Sequence, residues 1–162
     1  MEKETLEIRP PQNDGEIAAA VAVLAGTDPW KTLGMDAGMI EKGIRDPWND
    51  TFLVLHDREV VGVAVIQMNG ACTGYLKNLA VKENWRNQHV GSLLMDFIEK
   101  RIFSVHPNVF LCVSSFNEAA KRFYLRRGYH EIGVLTDYLI EGYDEVFMRK
   151  TRGPILRNKT NE

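Results

Sequence analysis

The chain has 162 residues, enough for one domain with a sizeable core. Apolar residues make up 44% and charged residues 26%, a balance that excludes a disordered chain. The 20 basic and 22 acidic residues leave a net charge of −2, which excludes a strongly basic nucleic-acid-binding domain.

Thr5 to Arg9 alternates and stops at Pro10-Pro11, as a first strand does. Asp14 is placed to cap a helix through Ile17, Val21 and Leu24 that Gly26 ends. After the break at Asp28-Pro29-Trp30, Met35 to Arg45 reads as a second short helix. Two strands follow, Thr51 to Leu55 and Val60 to Met68, joined by a turn at His56-Asp57-Arg58-Glu59. The second is nearly all apolar, so it should be covered on both faces. Tyr75 to Lys82 is the next strand. From His89 a helix carries Val90, Leu93, Leu94, Phe97, Ile98 and Ile102 as one apolar stripe. Val109 to Val113 reads as a buried strand, Asn117 to Arg127 as a helix and Tyr129 to Val134 as a strand. Gly142 marks a turn before a last strand, Glu145 to Arg149. The pattern is mixed α/β, one central mixed sheet with helices on both faces. Residues 1–150 form the domain; 151–162 form a basic, frayed tail carrying Arg152, Arg157 and Lys159 against Glu162.

Two cysteines, Cys72 and Cys112, are too few for a disulfide scaffold and point to a reducing compartment. No stretch reaches the ~20 apolar residues of a membrane span. Ahead of the apolar run Ile17 to Gly26, Glu2, Glu4, Glu7, Asp14 and Glu16 outnumber Lys3 and Arg9, the wrong sign for an export leader. The expectation is a cytoplasmic protein with no membrane and no nucleic-acid partner. His56, His89, His106 and His130 lack metal-site spacing, so no metal is expected.

Two segments carry chemistry. The first joins a strand to a helix: Val81-Lys82-Glu83-Asn84-Trp85-Arg86-Asn87-Gln88-His89-Val90-Gly91-Ser92. A loop entering a helix leaves the first N–H groups unpaired at the positive dipole end, where phosphate binds readily. Gly91 permits close approach and Arg86 adds charge. Alone, this reads first as an ordinary helix start. It lacks the Gly-Lys-Ser/Thr of a P-loop and the three glycines of a dinucleotide fingerprint. The second segment runs from Asn117 to Tyr129. Asn117, Ala120 and Tyr124 share one helix face, with roughly 10 Å between the ends, so one extended ligand can touch both. Alone, Phe123 and Tyr124 are equally core aromatics.

Together, in this order, the segments resemble the GNAT superfamily of acetyl-CoA-dependent N-acetyltransferases. The family's phosphate loop, Q/R-x-x-G-x-G/A, is met by Arg86-Asn87-Gln88-His89-Val90-Gly91, with His89 where the first glycine is expected. Its later stretch, Asn-x-x-Ala-x-x-x-Tyr-x-x-x-Gly-Phe/Tyr, is met at every position from Asn117 to Tyr129. The resemblance implies an α+β fold whose central, mostly antiparallel sheet is splayed in the middle. The pantetheine arm of acetyl-CoA would pair with the backbone of Leu79, Ala80 and Val81, and the pyrophosphate would sit on Arg86, Asn87, Gln88, His89, Val90, Gly91 and Ser92. Asn117, Ala120 and Phe123 would complete that contact from the facing helix.

The same resemblance implies direct acetyl transfer to a primary amine of a small molecule or peptide, with Tyr124 protonating the departing thiolate. Trp30, Asn78 and Tyr138 are the candidate acceptor-side residues, near Asp28, Trp48, Glu141, Tyr143 and Asp144. Related protein N-terminal acetyltransferases place a glutamate on the strand before the Asn-containing helix; Cys112 occupies that place here, which leans the reading toward a small-molecule acceptor. The base falls to a water chain or to Asp28, Glu41, Asp137 or Glu141, and Cys112 reads as a small core residue before an acyl-carrying nucleophile. A non-catalytic acyl-CoA sensor and a protein N-terminal acetyltransferase are the alternatives. Family members commonly dimerise, so a homodimer stays open.

Overall fold

The computed structural model describes residues 6–156. Its elements are β1 (Glu7–Arg9), α1 (Asp14–Ala25), α2 (Trp30–Leu33), α3 (Ala37–Arg45), β2 (Asn49–His56), β3 (Glu59–Gln67), β4 (Tyr75–Val81), a 3-10 turn (Glu83–Trp85), α4 (Val90–Phe103), β5 (Asn108–Ser114), α5 (Glu118–Arg126), β6 (His130–Ile140) and β7 (Tyr143–Thr151). The seven strands form one sheet in the order β1-β2-β3-β4-β5-β7-β6. Every neighbouring pair is antiparallel except β4 and β5, which are parallel. This is the mixed, mostly antiparallel sheet that the sequence pattern and the family resemblance predict.

The sheet has two apolar faces because β3 has two. Val61, Ala64 and Ile66 pack with α4 and α5 through Val90, Leu94, Ile98 and Tyr124, while Val60, Val63 and Val65 pack with α1 and α3 through Val21, Leu24, Ile40 and Ile44. A strand covered on both sides needs apolar side chains at successive positions, as β3 has. On α4 the buried face is rotated slightly from the predicted stripe: Met95 is fully buried, whereas Leu93 is 39% exposed.

Local chemistry sets several boundaries differently from the prediction. Asn13, not Asp14, caps α1: its side chain accepts the Glu16 N–H at 2.9 Å, and Asp14 becomes the first helical residue. Asp36 caps α3 by accepting the Gly38 N–H, which moves that helix start past Met35. Arg9 grips both carboxylate oxygens of Glu16 at 2.8 and 2.9 Å, tying β1 to α1. Thr5, in the predicted first strand, lies outside the described residues.

The C-terminal boundary also moves. Thr151 pairs with Asn108 in the sheet, and Arg152 lies over the Phe103 ring at 4.1 Å, so the fold continues past residue 150. Arg157, Lys159 and Glu162 lie outside the described residues. Lys150 is drawn in by Glu99, a buried carboxylate on α4 that accepts from Lys150 Nζ at 2.7 Å and from Arg127 Nε at 3.3 Å. This cluster ties α4, the end of α5 and β7 together. Glu99→Ala leaves Lys150 without its carboxylate and Arg127 with Asp96 alone, and a loss of about 2 kcal/mol in urea unfolding is expected. Among the described residues, no helix is long and apolar enough to cross a membrane.

Candidate active site

The site starts where β4 leaves β5. The two strands pair only at Tyr75–Phe110 and Leu76–Leu111, and Phe110 N–H also donates to Gly74 O at 3.0 Å. Beyond Leu76 they part. One cause is in β4 itself: its register against β3 shifts at Lys77, an extra residue that bends the strand. The other is β7, which holds β5 on its far side all the way to Ser114. Lys82 N–H donates to Val61 on β3, so the strand's two-residue period turns the amides of Leu79 and Val81 the opposite way, into the gap. Backbone groups left in this way require a partner.

That gap opens into a cleft of about 1200 Å³. Its walls include Asn78, Leu79, Ala80 and Val81 from β4, Arg86, Asn87, His89, Val90, Gly91 and Ser92 from the loop and first turn of α4, and Asn117, Ala120, Phe123 and Tyr124 from α5. Trp30 and Tyr138 line it as well. Gln88 does not; its amide donates to the Asn84 carbonyl at 2.7 Å and braces the loop from outside.

The loop keeps the shape a glycine would give it. His89 takes a left-handed φ of 62° and Asn87 one of 59°. Histidine and asparagine are among the side chains that tolerate this region best, so the chain absorbs the departure from glycine at modest strain. No side chain caps α4 at His89, which leaves its first amides open toward the cleft. A Cβ on Gly91 would stand 3.7 Å from Val81 and 3.8 Å from Phe123, so the protein itself does not demand glycine there. Arg86 Nε reaches the Val81 carbonyl at 3.4 Å, fastening the loop to the end of β4.

On α5, Asn117 caps the helix by accepting the Ala120 N–H at 3.3 Å through its oxygen, which keeps its amide N–H₂ out of the cap. Tyr124 is 7% exposed, held edge-to-face between Phe123 and Tyr129 at centroid distances of 5.3 and 5.6 Å. It is thus both a core aromatic and a cleft residue, two readings that the sequence posed as alternatives. Burial pushes its phenol above the ordinary tyrosine range, against a small opposing effect of Arg127.

Cys112 is placed differently from the predicted core position. It is half-buried and lines the cleft, in hydrogen-bonding contact with Tyr75. Burial raises its thiol pKa and the Tyr75 contact only partly offsets that, so it is poorly suited to act as a nucleophile. Of the four carboxylates considered as bases, only Asp28 lines the cleft. Asp28 accepts from the hydroxyl of Thr32 at 2.6 Å and its N–H at 3.0 Å, and these bonds hold its carboxyl below the usual range. Asp137 is occupied with the Gly142 N–H of the β6–β7 turn and Glu41 with Arg45.

Sequence reasoning missed Glu145. It stands on β7 directly opposite Ser114 and also lines the cleft. It missed, too, that β6 runs on to Ile140. Between the Leu135–Glu145 and Ile140–Tyr143 pairs, β6 spends four residues against one on β7. Asp137 takes a positive φ of 49° within this bulge, and Tyr138 and Leu139 line the cleft from it. The signal available was the β-branched and aromatic residues at every second position, Ile132, Val134, Thr136, Tyr138 and Ile140. Among the described residues, no group of three or more His, Cys, Asp or Glu side chains is arranged to hold a metal ion.

The sequence profile described as the Acetyltransferase (GNAT) family matches residues 13–129. An uncharacterized N-acetyltransferase of Methanocaldococcus jannaschii is 31% identical over 106 residues, 62% of this chain and 67% of that protein. The fold is similar to that of an aminoglycoside 6'-N-acetyltransferase complexed with coenzyme A, at TM-score 0.74 and 20% identity over 94% of this chain and 99% of the other. It is also similar to Ard1 from Thermoplasma volcanium, at TM-score 0.75 and 22% identity over 94% and 99% of the two chains. With the profile spanning both the phosphate-loop and Asn117–Tyr129 segments, on a sheet that splays between them, the chain belongs to the acetyltransferase (GNAT) family.

Proposed function

We propose that this protein transfers acetyl from acetyl-CoA directly to a primary amine of a small molecule or peptide, with Tyr124 as general acid in a single catalytic domain. The observation that carries this reading is the fork: β4 and β5 pair at two positions and then part, turning the Leu79 and Val81 amides into a cleft that the open first turn of α4 also faces. In this reading the strand amides take an extended pantetheine arm and the helix amides the pyrophosphate that follows it. Backbone at Leu79 and Val81 substitutes the ligand for the missing strand pairing. The amides from His89 to Ser92, helped by Arg86, receive the phosphates at the positive end of α4. Asn117 donates to the arm from the other wall.

The reaction then asks little of the chain beyond positioning and proton handling. An N–H in the gap near Leu79 stabilises the oxygen that gains charge as the amine adds to the thioester. Tyr124, kept protonated by burial, gives its proton to the departing sulfur. On the acceptor side the amine would meet Trp30, Asn78 and Tyr138, which line the cleft, with Asp28 contributing negative charge that favours a cationic amine.

The test is calorimetry with coenzyme A followed by thiol release from acetyl-CoA in the presence of kanamycin, spermidine or an unblocked peptide. Saturable heat and amine-dependent thiol release are expected. Heat without release for any of the three would instead favour an acyl-CoA sensor. Absence of heat would remove the reading altogether.

A further inference from the structure

We infer that Glu145 is the general base that deprotonates the acceptor amine, an inference that rests on the acetyltransferase reading. Glu145 is 3% exposed yet lines the cleft, an unusual position for a carboxylate. Its Oε1 accepts from Ser114 Oγ at 2.6 Å. Among the described residues no other donor is recorded for it and no cation offsets its charge. Burying a carboxylate beside a single hydroxyl costs stability, and nothing in the packing requires it: the opposite Ser114 would pair equally well with a neutral side chain.

The groups around Glu145 leave the proton work to it. Across the fork β4 presents Tyr75, β5 presents Cys112 and Ser114, and the β6 bulge presents Tyr138. Burial drives Tyr75 and Cys112 upward, so both stay protonated at neutral pH. Asp28, the other carboxylate of the cleft for which a perturbed proton affinity is found, is held down by Thr32 and is correspondingly a weak base. Glu145 is shifted the opposite way, upward by burial and only partly back by Ser114. A base whose affinity rises toward that of an amine takes its proton more readily.

The protons balance as follows. The carboxylate of Glu145 takes one proton from the acceptor ammonium, directly or through a water. The freed lone pair forms the C–N bond at the thioester carbonyl, the C–S bond breaks, and Tyr124 delivers its proton to sulfur. The surplus proton left on nitrogen restores the Tyr124 phenol, and Glu145 releases its proton to solvent.

The experiment measures thiol release from acetyl-CoA against pH, with whichever of kanamycin, spermidine and the unblocked peptide reacts fastest. Glu145→Gln, which keeps an acceptor for Ser114, is expected to lower kcat about 100-fold and abolish the acid limb of its pH profile, with coenzyme A affinity within about twofold of wild type. Ser114→Ala removes the bond that holds the carboxyl down, so its acid limb should move to higher pH, which a purely structural pair would not produce. Wild-type kcat and an unmoved limb in both variants would overturn the role of Glu145 while leaving the enzyme intact. No turnover by the wild type with any of the three amines would instead overturn the acetyltransferase reading, and this inference with it.

Discussion

Tyr124→Phe is expected to lower kcat about 100-fold while coenzyme A binds within about twofold of wild type. The substitution removes one oxygen from a side chain already held on both sides by Phe123 and Tyr129, so the ring has no reason to move. Its aromatic burial against α4 and β3 survives, and unfolding should change by less than about 1 kcal/mol. What disappears is the proton for the leaving thiolate. Burial sets the sign of the pH dependence: a phenol shifted upward stays protonated across the working range, so Tyr124 should impose no alkaline limb below about pH 10 in the wild-type profile. Steady-state kinetics together with calorimetry separate the two effects. An unchanged kcat from pH 6 to 9 would take the acid role away from this tyrosine.

Gly74→Ala should be the most damaging single substitution near the site, costing about 4 kcal/mol and roughly 10 °C in melting temperature. Gly74 sits at φ 82°, and a Cβ there would stand 2.5 Å from the Asn108 carbonyl oxygen and 2.7 Å from Ile102 Cγ2. Neither neighbour can give way cheaply, since one is backbone of β5 and the other a fully buried side chain. Its carbonyl also accepts from Phe110, the bond that closes the fork just before β4 and β5 separate. Damage here should therefore weaken coenzyme A binding as well as stability. Gly70→Ala is the matched control: its φ of 98° imposes similar backbone strain, but nothing lies within 4 Å of the added carbon. A loss of only about 1 kcal/mol is expected there. Equal melting temperatures for the two variants would show that close packing at Gly74 is not what matters.

Much of this molecule is local and hence legible along the chain. The two-sided apolar run of β3, the apolar face of α4, and the cap–helix–glycine grammar from Asn117 to Gly128 all depend on residues within a few positions of one another. The last of these, together with the loop from Arg86 to Gly91, carried the family resemblance, which implied the splayed sheet and its cleft. Misreadings arose where two neighbours competed for one local role. Asn13 outcompeted Asp14 as a cap because its oxygen reaches the Glu16 N–H, and the Asp36 cap on the Gly38 N–H starts α3 two residues after Met35.

Order along the chain determined most of the elements, the main helix faces and the phosphate loop, because hydrogen-bonded caps, turn residues and apolar periodicity act over a handful of positions. Tertiary pairing alone decided the rest. Glu145 meets Ser114 across 31 positions of sequence, and within Tyr143-Asp144-Glu145 nothing marks it off from an ordinary acidic turn. Only the register of β7 on β5 turns that carboxylate into the cleft, and only the packing of α5 on the sheet makes Tyr124 both buried and facing the same space. Desolvation then gives both groups their altered proton affinities, a property that no residue carries by itself.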